Sequence, residues 1–290
     1  MSRHALVLAL LVAGCGGAPT PPPAGPPARV VSLAPSATEI VYALGAGARL
    51  VGVCGQCDRP AEVAQVPRVG GYLAPSVEAT LAVRPDLVIA VPSPGNREAV
   101  RAIERAGVRV LVVRDRTLGD LWDSIPALAG ALGIPEAGDG LVTDLRQRLD
   151  GVRARLAGVT PRRVLVVVDH NPLVVVGGGT LQDELITIAG GTNVVRDVGA
   201  AWPTITLELV VARAPEVIVD AGMGDEGAAA GLFAGLTTVP AVRDGRIVRL
   251  RDDAFFRAGP RVADAAAALA DAIHPGALAP DGASREAPPG

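Results

Sequence analysis

The sequence contains no lysine, so arginine supplies all 27 of its basic side chains, and 30 acidic residues leave a net charge of -3. With that balance, neither nucleic acid nor an anionic membrane surface is an expected partner. Aromatic side chains are also scarce, at 2% of 290 residues. The aromatic residues in predicted loops are therefore informative, because flat rings suit broad, apolar-edged ligands.

Apart from a short run near the start, no apolar stretch approaches the length of a transmembrane helix. That run, residues 5–13, leads into LVAGC (11–15), which looks like a lipobox. We predict a lipoprotein signal peptide at 1–15 with lipid attached to Cys15; an ordinary signal peptide cleaved nearby is the alternative. Residues 16–28 are too rich in proline and glycine to fold and are expected to form a tether. The body is therefore expected to be exported and held at the membrane by its lipid alone, in the periplasm or, without an outer membrane, on the cell surface.

Cysteine is rare as well, with 3 residues in the chain. If Cys15 carries lipid, Cys54 and Cys57 remain as a C-x-x-C pair, and an exported compartment favours a disulfide between them. A thioredoxin-type pair would begin a helix, whereas Asp-Arg-Pro follows here, and no histidine follows for haem attachment. Zinc would need further ligands, and the body offers only two histidines. A structural pair is the favoured interpretation, redox chemistry or metal contact are the alternatives, and no metal site is predicted.

Strand and helix patterns alternate through the body, which predicts parallel sheets covered on both faces. The predicted strands are 29–34, 86–91, 108–113, 162–168, 216–221 and 245–250. Helices are predicted at 96–107 and 180–191, and Ser36 with Glu39 has the spacing of a capping box for a helix that ends at Gly45.

A long amphipathic helix separates two halves of the body. Its apolar stripe consists of Leu141, Leu145, Leu149, Val152 and Leu156. We therefore predict an N-terminal α/β lobe at 29–137, a linking helix at 138–160, a C-terminal α/β lobe at 161–275 and a disordered tail at 276–290. The halves also repeat each other: EATLAVRPDLVI (78–89) and ELVVARAPEVIV (208–219) are offset by 130 residues, and each begins with a glutamate.

Five ordered segments carry a resemblance to a known family: RVVSLAPSATEIVYALGAGARLVGV, VGGYLAPSVEATLAVRPDLVIA, TLQDELITIAGGTNVV, AWPTITLELVVARAPEVIV and FFRAGPRVADA. Together they resemble the helical-backbone (class III) substrate-binding proteins of ABC importers, and most closely the cobalamin binders, from Arg29 to about His274. The resemblance implies two Rossmann-like lobes with parallel sheets, joined by one long helix, and a ligand held in the cleft between the lobes. It also implies that Glu78 and Glu208, one on each lobe, dock onto the arginines of a membrane permease.

The resemblance assigns the cleft as well. The residues implied to contact ligand are Gln56, Tyr72, Trp202, Asp253, Phe255 and Arg257. Gln56 departs from the cobalamin pattern, which commonly has tyrosine there. Arg257 and Arg261 leave room for an anionic ferric siderophore. His170 follows a strand end, and a hydrogen-bonded loop histidine is the favoured interpretation, with an axial ligand to a bound metal as the alternative.

These observations predict a monomeric binding protein without a cofactor of its own, which captures a corrinoid and delivers it to an ABC permease and its ATPase. A ferric siderophore, haem or another metal chelate is the alternative ligand, since the fold does not choose among them. The competing function from another class is an exported thiol oxidoreductase using Cys54 and Cys57. A hydrolase is not expected, because no G-x-S-x-G motif occurs.

Overall fold

The computed structural model describes residues 25–222 and 228–278. The predicted signal peptide with Cys15, most of the predicted tether and the tail beyond residue 278 lie outside these ranges, so they remain predictions. Within the described ranges, no helix combines the length and the apolar character that crossing a membrane requires.

The N-terminal lobe contains a four-stranded parallel sheet in the order β2-β1-β3-β4. Its strands are β1 (Val30–Ser32), β2 (Leu50–Val53), β3 (Leu87–Ala90) and β4 (Arg109–Val112). Its helices are α1 (Pro35–Ala43), α2 (Val77–Ala82), α3 (Arg97–Arg105) and α4 (Leu118–Leu132). The central strands β1 and β3 are buried at every position, which is why their sequences are continuously apolar instead of alternating.

The C-terminal lobe contains a second sheet, ordered β6-β5-β8-β9, with β7 also paired to β5. Its strands are β5 (Arg162–His170), β6 (Leu173–Val175), β7 (Gly191–Asn193), β8 (Val217–Asp220) and β9 (Ile247–Arg249). Its helices are α6 (Leu181–Ile188), α7 (Leu207–Arg213), α8 (Ala228–Phe233), α9 (Pro240–Arg243) and α10 (Val262–Ile273). The β6 strand departs from the parallel arrangement, because it returns from β5 through a tight turn and pairs antiparallel with it.

The linking helix is α5, Pro135–Arg155, whereas the sequence pattern predicts 138–160. It begins earlier because Pro135 suits the first helical position, where a missing N–H costs nothing. Its buried residues Leu145, Leu149 and Val152 belong to the predicted stripe and join the larger core cluster. Gly138 allows α4 and α5 to approach closely, since a β-carbon there would lie 2.6 Å from the β-carbon of Ala129.

The internal repeat predicted from sequence is present in three dimensions. Ser76 and Thr206 cap α2 and α7, each accepting a hydrogen bond from the backbone N–H three residues later. Both helices are followed by a non-glycine residue of positive φ, Arg84 at 46° and Ala214 at 42°, and then by a central strand. The two lobes therefore share one helix-turn-strand unit.

The capping box predicted for α1 is wrong. The helix begins at Pro35 after Ala34, and no side chain caps its first turn. Ser36 and Glu39 are instead buried and bond to residues outside the helix. The predicted end is close, because α1 stops at Ala43 and Gly45 takes a φ of 75°.

Candidate functional site

A cavity of about 800 Å³ opens between the two lobes, within the range typical of small-molecule sites. The N-terminal lobe lines it with Pro35, Ser36, Gln56, Tyr72 and Asp115. The C-terminal lobe lines it with Val168, Asp169, His170, Ala221, Asp253, Phe256 and Arg257. Several of these residues lie at the carboxyl end of β5 or just after the carboxyl ends of β1, β4 and β8, which is where open α/β sheets bind ligands.

Four of the six residues predicted to contact ligand line this cavity: Gln56, Tyr72, Asp253 and Arg257. Gln56 and Tyr72 are also bonded to each other, since the backbone N–H of Tyr72 donates to Gln56 Oε1 at 2.7 Å. This bond ties together two loops of the N-terminal lobe. Burial raises the pKa of the Tyr72 hydroxyl, and the negative charge of Asp115 raises it further.

Trp202 lies beside this cavity, in an adjoining recess of about 220 Å³. The recess shares Tyr72, Asp115 and Phe256 with the main cavity. The ring centroids of Trp202 and Phe256 lie 6.4 Å apart, and these side chains are 44% and 38% exposed. They give the mouth of the cleft an apolar, aromatic edge.

Phe255 does not line the cleft, contrary to the expectation from sequence. It is fully buried and contacts Phe256 edge-on, with ring centroids 5.1 Å apart. Residues 253–256 form a 3-10 helix, in which successive side chains turn by about 120°, so neighbouring residues face different ways. Phe255 therefore enters the core, and Phe256 reaches the cavity in its place.

Arg257 belongs to a group of charged side chains that joins the lobes. We call Glu39, Asp58, Asp253, Arg257 and Arg261 the interlobe cluster. Arg257 Nη1 lies 2.9 Å from Glu39 Oε1 and 2.7 Å from Asp58 Oδ1, both in the N-terminal lobe. Its Nη2 lies 2.8 Å from Asp253 Oδ2 in its own lobe.

Arg261 completes the cluster by donating hydrogen bonds to both carboxylate oxygens of Glu39. Its Nε donates to Glu39 Oε2 at 2.8 Å and its Nη2 to Glu39 Oε1 at 3.0 Å. Burial opposes ionisation of Asp253, but the hydrogen bond from Arg261 and the charges of Arg257 and Arg261 outweigh it, so its pKa is lowered. Both arginines are thus engaged by carboxylates, which reduces their capacity to bind an anionic ligand.

His170 lies at the cavity wall, where its ring is hydrogen-bonded to the buried carboxylate of Asp220. Its Nε2 is 3.1 Å from Asp220 Oδ1, and the other oxygen of Asp220 accepts a hydrogen bond from Arg249 at 2.8 Å. The Asp220 side chain is only 4% exposed. This bond agrees with the hydrogen-bonded histidine favoured from the sequence. The other ring nitrogen could face a ligand, so the axial alternative stays a prediction.

Asp115 is a cavity residue that the sequence analysis missed. It follows β4, and its Oδ2 accepts a hydrogen bond from Ser36 Oγ at 3.2 Å. Burial raises the pKa of this carboxyl, although the bond from Ser36 acts in the opposite direction. Its place after a predicted strand end is the signal that could have identified it.

A disulfide joins Cys54 and Cys57, and both residues are fully buried. Thr38 Oγ1 donates to Cys57 Sγ at 3.2 Å, and Arg68 donates to the carbonyl oxygens of both cysteines. The bridge closes the base of the loop that carries Gln56. Among the described residues, no group of three or more histidine, cysteine, aspartate or glutamate side chains could hold a metal ion.

Glu78 and Glu208 lie away from the cavity, exposed in the first turns of α2 and α7. A hydrogen bond from Thr206 lowers the pKa of Glu208. Glu78 and Glu208 therefore place a solvent-facing carboxylate at the same position of the repeated unit in each lobe.

The sequence matches the periplasmic binding protein family over residues 30–254. The chain belongs to this family. The vitamin B12-binding protein of Vibrio parahaemolyticus is 31% identical over 242 residues, which cover 83% of this chain and 87% of that protein. The crystal structure of the periplasmic vitamin B12-binding protein of Vibrio cholerae has a TM-score of 0.74 at 29% identity, covering 86% of this chain and 97% of that one.

A haem-binding relative is equally similar. The apo periplasmic haem-binding protein of Roseiflexus sp. RS-1 has a TM-score of 0.72 at 32% identity, covering 84% of this chain and 98% of that one. These matches confirm the predicted family and two-lobed fold. They also identify the chain as a periplasmic solute-binding protein of an ABC importer and not an enzyme.

Proposed function

We propose that this periplasmic binding protein captures cobalamin or a related corrinoid in the cavity between its lobes and delivers it to an ABC permease. The observation that carries the choice of ligand is the chemistry of the cavity wall. Tyr72, Trp202 and Phe256 offer aromatic surface to a broad macrocycle, and Asp115 and Asp253 can accept hydrogen bonds from amide groups at its periphery.

The charges of the cavity favour a corrinoid over haem or a ferric siderophore. Haem carries two carboxylates, and siderophore complexes are commonly anionic, so either would need free cations. Arg257 is engaged by three carboxylates, and Asp115 and Asp169 add negative charge to the same cavity. Of the described residues that line the cavity and the recess, Arg116, exposed beside Trp202, is the cation that remains open at the mouth.

Delivery is proposed to depend on Glu78 and Glu208. One exposed carboxylate on each lobe matches a permease surface carrying an arginine for each, and charges at the rim of an interface guide orientation and association rate. Lipid attachment at Cys15 would keep the loaded protein close to that permease.

The test is calorimetric titration of the purified protein with cyanocobalamin, and with haem and a ferric siderophore as competitors. We expect saturable binding of cyanocobalamin, and we expect Trp202→Ala to weaken it by about 1–3 kcal/mol, the scale of a buried aromatic contact. The matched control is Trp122→Ala. That tryptophan lies on α4 with the Arg146 guanidinium 5.2 Å from its ring centroid, outside the cavity, so the affinity should not change. Saturable binding of haem or siderophore, with no heat from cyanocobalamin, would refute the proposed ligand. The assignment to the family would still hold.

A further inference from the structure

The carboxyl group of Asp115 has hydrogen-bond acceptor capacity that the protein leaves unused. It lines both the main cavity and the recess beside Trp202, so it stands where the two join. Its Oδ2 accepts one bond, from Ser36 Oγ at 3.2 Å. Across residues 25–222 and 228–278, Oδ1 has no hydrogen-bond or ion-pair partner, although an ionised carboxylate can accept about four bonds.

The charged groups nearest to Asp115 along the chain do not compensate it. Arg114 is directed to Asp120, with Nε 3.2 Å from Oδ1. The backbone N–H of Arg116 donates to the other oxygen of Asp120 at 3.1 Å, and its side chain is exposed. Asp120 itself adds negative charge and raises the pKa of Asp115 further.

The groups that face Asp115 across the cavity have more protein partners than Asp115 has. Asp169 Oδ1 accepts from the backbone N–H groups of His170 at 2.7 Å and Asn171 at 3.3 Å, and His170 is bonded to Asp220. Asp253 and Arg257 are bonded within the interlobe cluster. Asp115 is therefore the carboxylate of this cavity with the most unused acceptor capacity.

We infer that Asp115 is a specificity-determining residue that accepts hydrogen bonds from N–H donors of the ligand and repels ligands carrying carboxylates. The inference rests on the proposed function, since the amide groups of a corrinoid supply such donors. A bound ligand displaces water from the cavity, so a ligand without a donor leaves this acceptor unpaired and is discriminated against.

The protonation state of Asp115 gives this role a measurable consequence. A ligand that donates to Asp115 binds the ionised carboxylate, and burial has raised the pKa of that group in the free protein. Affinity should therefore be constant above the raised pKa and should fall as the pH drops through it. Removing the Ser36 hydroxyl takes away a bond that lowers this pKa, so the fall should begin at a higher pH.

The experiment measures the dissociation constants of cyanocobalamin and haem for the full chain, for Asp115→Asn, Ser36→Ala and Asp123→Asn, from about pH 8 to about pH 4. Asp115→Asn should weaken cyanocobalamin binding about tenfold or more, flatten its pH profile and reduce the preference over haem. Ser36→Ala should shift the pH midpoint upward. Asp123→Asn removes one exposed carboxylate of α4 outside the cavity and should match the unsubstituted protein.

Three results would overturn the inference. The first is that Asp115→Asn keeps the original affinity and pH profile. The second is that Asp115→Asn and Asp123→Asn weaken binding equally, as a general charge effect would. If Asp115→Asn fails to fold, an unshifted midpoint in Ser36→Ala refutes the role. A protein that prefers haem to cyanocobalamin before any substitution contradicts the proposed function as well, which distinguishes that failure from the others.

Discussion

Glu39→Gln tests whether the interlobe cluster holds the lobes together. Glu39 is 6% exposed and accepts three hydrogen bonds of 2.8–3.0 Å from Arg257 and Arg261. Breaking a buried ion pair by removing one partner costs about 3–5 kcal/mol. Here both arginines keep other carboxylates and glutamine keeps one acceptor, so we expect a loss of about 2–3 kcal/mol in the free energy of unfolding.

The assay is urea unfolding at neutral pH, followed by circular dichroism. With a slope of about 2–3 kcal/mol per molar urea, the transition midpoint should fall by about 1 M. Glu98→Gln is the matched control, because Glu98 pairs with Arg101 at 3.4 Å on the exposed surface of α3. Surface pairs contribute little, so this variant should lose no more than about 0.5 kcal/mol in the free energy of unfolding.

Equal midpoints for the two variants would refute this reasoning. The cluster would then contribute no more than a surface pair, and the bond from Arg257 to Glu39 could no longer be counted among the contacts that occupy this arginine. The argument against an anionic ligand would weaken with it, so the same measurement bears on the choice of ligand.

Two further predictions concern residues outside the cavity. Replacing both Glu78 and Glu208 by alanine should leave cyanocobalamin affinity unchanged but reduce ligand-dependent stimulation of the permease's ATPase in reconstituted vesicles. Full stimulation by this variant would refute the proposed docking role of the two glutamates. Replacing both Cys54 and Cys57 with serine should lower the free energy of unfolding by about 2 kcal/mol and leave ligand affinity within about threefold, measured by calorimetry. A larger loss of affinity would contradict this expectation, because it would show that the disulfide shapes the ligand site.

Much of the fold could be predicted from the sequence because the central strands β1, β3 and β8 are buried at every position. Continuous apolar runs such as 86–91 locate β3, and the repeat of 78–89 at 208–219 locates α2, α7 and their strands. The antiparallel β6 could not be predicted in this way. Its pairing depends on a turn after β5, and three apolar residues carry no period that separates parallel from antiparallel strands.

The site was less predictable because its contacts join residues far apart in the chain. Ser36 and Glu39 have the local spacing of a capping box, yet one bonds to Asp115 and the other to Arg257 and Arg261. A local pattern cannot show that a distant partner competes for the same side chain. Polar residues near the start of a helix that follows a central strand therefore have two possible uses, and only the fold distinguishes them.

The two lobes resemble each other where they are proposed to meet a permease and differ where they face the ligand. Each presents an exposed glutamate on a capped helix of the same design. In the cavity, however, the N-terminal lobe contributes Ser36 and Asp115, while the C-terminal lobe contributes His170 and Phe256. A repeated lobe fold can thus keep one way of docking to a permease while its loops change the bound ligand. This is consistent with vitamin B12-binding and haem-binding relatives of nearly equal similarity. The choice of ligand therefore depends on how the side chains of those loops are bonded, and in this protein Arg257 and Arg261 are engaged by carboxylates while Asp115 keeps an open oxygen.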